Sequence, residues 1–225
     1  MRAWLALKAA GVDFDEVVVD IRRPQRFANL AAVGAFAPSA TVPVLVVDEH
    51  VIFDSLAIME YANDVAGGRL LPVDPLHRAE ARSIIAWQHG GLSGIARRVC
   101  FESAFYPDKR DLCPEEIAEC DRLGTYLAAC LARSGGPFLF GECSLADFAL
   151  TPTVIRLTRH QLDWARWPGT EPWSGHVLDH LHVKEWLREA DLCPPIWYDS
   201  YMLDPERTPS ASSAWTAVRE PRGQR

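Results

Sequence analysis

The sequence predicts a short α/β half followed by an all-helical half. Two observations carry this reading. Thr41 to Phe53 forms two apolar runs around the polar turn Asp48-Glu49-His50, a hairpin signal. From Asp74 onward, apolar residues recur at helical spacing in stretches bounded by proline, glycine and capping residues.

Arg2 to Ala10 reads as a helix that is apolar almost all round, interrupted only by Arg2 and Lys8. Such a helix is buried on both sides, and Gly11 ends it. Phe14 to Ile21 reads as a strand, with Val17, Val19 and Ile21 on one face. Arg22-Arg23-Pro24 opens an irregular or helical segment to about Val33. The hairpin follows, and then a helix from Ser55 to about Ala66 that Gly67-Gly68 stops.

Leu70 to Asp74 reads as a linker, and Asp74-Pro75 supplies an N-cap and a first-turn proline. The next helix carries the stripe Ile84, Trp87, Gly91, Leu92, Ile95 and Val99, with glycines 90, 91 and 94 allowing a kink or close packing. Cys113-Pro114-Glu115-Glu116 starts another helix, ended by Gly135-Gly136-Pro137. Ser144-Leu145-Ala146-Asp147 is a capping box with Asp in the place of Glu, opening the apolar run to Leu157. Ser144 and Asp147 are assigned to folding, not to chemistry. Trp164, Trp167 and Trp173 fall in a Pro/Gly-rich loop, where Trp164 is a candidate for covering an apolar pocket. A last helix spans about Val183 to Ala190, and from Met202 the composition is that of a loose tail. The domains are therefore read as 1–67, a linker 68–74, a helical domain 75–201 and a tail 202–225.

At 225 residues, 48% hydrophobic and 24% charged, the chain can bury a real core. The net charge of -7 argues against a nucleic-acid binder, which needs a basic face. No apolar run approaches a membrane span and no signal peptide is visible, so the reading is cytoplasmic with no membrane partner. Cys100, Cys113, Cys120, Cys130, Cys143 and Cys193 lack the close pairing of a zinc or redox motif and are read as reduced thiols, with no metal. His176 and His180 sit four apart, a spacing open to a metal site but read as a solvated helix end. His89 is a candidate for the substrate pocket, and Arg97 with Arg98 for an acidic ligand, against a surface reading for each.

The chemistry concentrates at the hairpin. Pro43 heads the first strand, where it cannot donate to a ladder; a cis peptide bond would suit the site. Asp54-Ser55 opens the next helix, whose first N–H groups and serine hydroxyl face an anion. Together they form a receptor for a small peptide. Backbone pairing occurs beside the proline, and carboxylate capture at the helix start.

At these residues the chain resembles the glutathione transferase family, in its bacterial form. The resemblance implies an α/β thioredoxin-like N-terminal domain plus an all-α helical-bundle C-terminal domain. It also implies glutathione as co-substrate, held by Val42, Pro43, Asp54 and Ser55. The residue before a cis-proline pairs with the cysteinyl backbone, and the acid-Ser pair holds the γ-glutamyl end. The implied activity joins the glutathione thiol to a small electrophile, as in detoxification. A glutathione-dependent isomerase and a non-catalytic scaffold of the same fold are the alternatives. A homodimer is implied as well. Family members begin with a strand and a loop that carries the Tyr, Ser or Cys facing the sulfur. This chain begins at the helix that follows, so the first strand and the catalytic residue are expected upstream of Met1. The chain from Met1 is then expected to be impaired.

Overall fold

A computed structural model describes residues 1–21, 25–92, 95 and 98–193. Helix α1 (Arg2–Ala10) buries Ala3, Leu5, Ala6 and Leu7, and Gly11 caps it at φ 74°, a conformation that costs a glycine little. Helix α2 spans Arg26–Gly34. Strands β1 (Val44–Val47) and β2 (His50–Phe53) pair antiparallel, in register from Val44 with Phe53 to Val47 with His50. Helix α3 (Ser55–Val65) packs on α1.

The helical part begins with α4 (Pro75–Ala86), capped by the Asp74 carboxylate, which accepts from Leu76 N at 3.0 Å and His77 N at 2.9 Å. Helices α5 (Pro114–Ser134), α6 (Leu145–Arg159), α7 (Thr170–Asp179) and α8 (Leu181–Leu192) follow. Helix α6 is buried almost throughout from Leu145 to Leu157 and packs against α1, α4 and α7. The Leu145 N–H donates to Leu70 O at 2.8 Å, tying the start of α6 to the segment after α3. On α5, Gly124 lies under the Trp167 indole, and a Cβ there would fall 2.2 Å from the ring.

The start of α6 is organised by one carboxylate. Asp147 is 1% exposed and accepts four hydrogen bonds. They come from Ser144 N at 2.9 Å, Ser144 Oγ at 2.8 Å, Leu139 N at 3.2 Å and Trp173 Nε1 at 2.9 Å. Burial pushes its carboxyl above the ordinary aspartate range, while these four donors favour the ionised form. The carboxylate thus joins the loop before α6, the helix itself and α7.

Three expectations need correction. Phe14–Ile21 is no strand: it forms no ladder among the described residues, and Val17 and Val18 are 83% and 84% exposed. Alternation favours an extended chain, but a strand also needs a hydrogen-bonding neighbour. A cleft of about 800 Å³ separates this segment and α1 from β1. The helix after Asp74 is α-helical to Ala86, passes through a π-helical turn at Trp87–Gly91, and is helical again at Ile95 and Arg98, so the glycine-rich stretch interrupts it rather than only kinking it. The tryptophan loop is largely ordered helix, with a 3₁₀ turn at Trp164–Arg166 and then α7. The tail from Met202 lies outside the described residues.

Asp147→Ala leaves three buried N–H donors and a hydroxyl without their acceptor. It should cost at least about 3 kcal/mol by urea denaturation, since each unsatisfied group costs roughly 1–3 kcal/mol. Ser144→Ala should cost about 1 kcal/mol.

Candidate functional site

The hairpin register carries the site. With Val44 opposite Phe53, Pro43 and Asp54 come to the same end of the sheet, and Ser55 follows at the first turn of α3. The Val42–Pro43 peptide bond is cis. Val42 is partly exposed, and its backbone groups take no backbone partner among the described residues. An extended peptide can pair there as an added strand would.

Asp54 is the N-cap of α3, and its Oδ1 accepts from Leu56 N at 2.8 Å. Its backbone sits at φ 73°, ψ 136°, which costs a residue with a side chain on the order of 1–3 kcal/mol. Strain of this kind persists where the surroundings fix it, often at a ligand site. Oδ2 lies 3.4 Å from His89 Nε2, an ion pair when the imidazole is protonated. Ser55 is buried at the first turn of α3, where unpaired N–H groups and the helix dipole favour an anion.

A second layer comes from α1 and the π-turn. Arg2 donates through Nη1 to Gln88 Oε1 at 2.6 Å and lies 3.2 Å from His89 Nδ1. Burial lowers the Arg2 pKa, opposed by the Asp54 charge. The π-turn places Gln88 and His89 on consecutive positions facing Arg2, as π-turns at functional sites often re-aim side chains. The chain thereby brings Asp54, His89, Gln88 and Arg2 together from three separated segments.

His89, the substrate-pocket candidate, lies beside Asp54. The structure places Trp164 in the helical core, edge-on to Trp167 and Trp173, with Nε1 donating to Thr158 Oγ1 at 2.9 Å. Trp164 is not among the residues lining the 800 Å³ cleft beside α1. Arg98 lies 3.7 Å from Glu115, and Arg97 falls outside the described residues. His180 packs edge-on to Phe148 and His176 lies against Phe138. Among the described residues no group of three or more His, Cys, Asp or Glu is placed to hold a metal ion. Tyr61 lines the 800 Å³ cleft, and Tyr106 is buried with its hydroxyl 3.8 Å from Cys100 Sγ. Arg2 and Gln88 were not singled out by sequence. The lone signal was a cation heading an otherwise apolar helix.

Residues 1–65 match the family model described as the glutathione S-transferase N-terminal domain. Among curated proteins, a probable maleylacetoacetate isomerase of Caenorhabditis elegans is 27% identical over 179 residues, covering 74% of this chain and 78% of that protein. A maleylacetoacetate isomerase of Mus musculus is 27% identical over 169 residues, covering 74% of this chain and 77% of its own. Among solved structures, a diazinon-metabolizing glutathione S-transferase of the silkworm Bombyx mori superposes with a TM-score of 0.66 at 19% identity, over 84% of this chain and 90% of that one. An epsilon-class glutathione S-transferase of the housefly Musca domestica gives 0.65 at 24%, over 82% and 84%. At such identities these structures establish the fold. No described helix is long and apolar enough to cross a membrane.

The strain at Asp54 predicts an inverted substitution order. Asp54→Gly should leave stability within about 1 kcal/mol of wild type or raise it, because relief of the positive φ offsets the lost cap. Asp54→Ala keeps the strain and loses the cap, and should be less stable than the Gly variant by about 1–2 kcal/mol. Urea denaturation of the three proteins decides it.

Proposed function

The chain belongs to the glutathione transferase family, and on that premise we propose that it binds glutathione at Val42, Pro43, Asp54 and Ser55 and joins the thiol to a small electrophile. The observation that carries this reading is that a Val42 backbone with no backbone partner among the described residues converges with the start of α3 at one end of the hairpin. The cysteinyl backbone of glutathione pairs with Val42. The γ-glutamyl carboxylate takes Ser55 and the first N–H groups of α3. The amino group takes Asp54 Oδ2.

The chemistry is proximity and thiolate attack. The sulfur forms a bond to an electrophilic carbon, and the displaced group leaves with the electron pair. A second reading follows from the curated relatives, named maleylacetoacetate isomerases. There the thiolate adds to a conjugated double bond to give an enolate, the resulting single bond rotates, and collapse of the enolate restores the double bond and expels the thiolate. The two readings differ in whether glutathione is consumed.

Calorimetric titration with glutathione should show one site per chain. Ser55→Ala and Asp54→Ala should each weaken it at least tenfold, about 1.4 kcal/mol. No binding by the folded wild-type chain overturns the reading. With less than one equivalent of glutathione, full conversion of an electrophile with glutathione recovered marks the isomerase. Conversion that stops at one product per glutathione marks the transferase. The family also supports a homodimer, with the exposed Val73 and Leu76 at the head of α4 among the residues covered. Light scattering at micromolar concentration should then give twice the chain mass.

A further inference from the structure

A cleft of about 650 Å³ opens between α1, the extended segment after it, the 3₁₀ turn Phe101–Phe105 and α8. Its wall is aromatic. Trp4, Phe101, Phe105 and Trp186 line it, each half-buried. The Phe101 ring centre lies 5.6 Å from that of Phe105 and 5.9 Å from that of Trp186. Glu16, Glu102 and Glu189 complete the lining, and no lysine, arginine or histidine lines it among the described residues.

The charges around the cleft decide what fits. Lys8, Arg156 and Arg159 lie over Trp4, Phe101 and Phe105, at 5.1, 5.5 and 4.5 Å from the ring centres. Lys8 pairs with Glu185 at 2.8 Å and Arg159 with Asp191 at 3.1 Å, while Glu102 acts on Arg156. The rings of this wall thus already stand against cations of the protein itself, as ring faces favour. Glu16 accepts from the Trp4 indole N–H at 3.0 Å. Neither Glu16 nor Glu189 forms an ion pair among the described residues. The Met1 amine also acts on Glu16, but burial lowers its pKa to about 6, so at about pH 8 it is mostly neutral. The cleft therefore holds two carboxylates beyond those that the neighbouring cations balance. An acid entering it meets like charge on three sides of its lining. A neutral arene gains the apolar contact alone.

We propose that this cleft binds an organic cation with a flat aromatic body, of the N-alkylpyridinium or N-alkylquinolinium kind. The rings take the body by stacking and by attraction of the positive charge to their faces. Glu16 and Glu189 complement the charge. A quaternary nitrogen carries no N–H, so it enters an aromatic wall without leaving a donor unsatisfied. The proposal rests on the lining of this cleft and is independent of the glutathione reading.

The test is calorimetric titration of the full chain at about pH 8 with three flat probes of similar size. They are the cation N-methylquinolinium, quinoline, which is neutral at that pH, and the anion 1-naphthoate. Wild type should bind the cation at least about fivefold tighter than quinoline, and naphthoate most weakly. The double variant Glu16→Gln/Glu189→Gln should lose the preference for the cation and keep its affinity for quinoline. The amide at residue 16 can still accept from the Trp4 indole, so the wall is preserved. A second double variant, Glu49→Gln/Glu171→Gln, removes two exposed charges outside the cleft lining and controls for attraction to the net charge of the chain. It should bind all three probes as wild type does. Absence of saturable binding by the cation overturns the proposal, as does equal binding of cation and quinoline. So does a preference that survives in Glu16→Gln/Glu189→Gln, or one that falls as far in Glu49→Gln/Glu171→Gln.

Discussion

Everything in this chain leans on α1 being buried from both sides. A nine-residue helix with apolar residues nearly all round has no stable exposed face, so α3 covers one side and α6 the other. That constraint sets the site. Arg2, at the first turn of α1, is carried to the π-turn after α4, and the π-turn carries His89 to Asp54 at the start of α3. Packing of one short helix thus fixes the relative placement of three segments that are far apart in sequence.

Two kinds of polar burial stand in contrast. At Asp147 the buried carboxylate faces four donors and acts as a rivet between the loop at Leu139, α6 and α7. At Arg156, on the same helix, a guanidinium is buried against an aromatic ring with its Nε unmatched. The first arrangement is complete and stabilises the fold. The second leaves one nitrogen without a partner among the described residues, which costs the fold. Asp54 adds a third case, with strain held in the backbone where a ligand is proposed to dock.

What was legible in the sequence was local. The hairpin, the acid-Ser helix start, the Asp74-Pro75 start and the Ser144 to Asp147 box each depend on a few neighbouring residues, and each lies where its pattern puts it. What was not legible needed the third dimension. The alternation in Phe14–Ile21 specifies an extended chain but not a ladder partner. Pro172 and Gly175 hid α7, although Pro172 sits in the first turn, where its missing N–H is harmless. The approach of His89 to Asp54 depends on a π-turn that periodicity does not announce. Arg156 looks like any helical arginine until its burial against Phe101 is seen.

The central claim is that the end of the hairpin and the start of α3 form one receptor for glutathione. The most direct measurement is a titration of the isotopically labelled chain followed by amide nuclear magnetic resonance, with glutathione and with the dipeptide cysteinylglycine, which lacks the γ-glutamyl end. The account predicts that the amides of Val42, Asp54, Ser55 and Leu56 shift together with glutathione and saturate with one affinity. With the dipeptide, the shifts at Ser55 and Leu56 should be lost and the affinity should fall. Shifts confined to other segments, or equal responses to the two ligands, would contradict it.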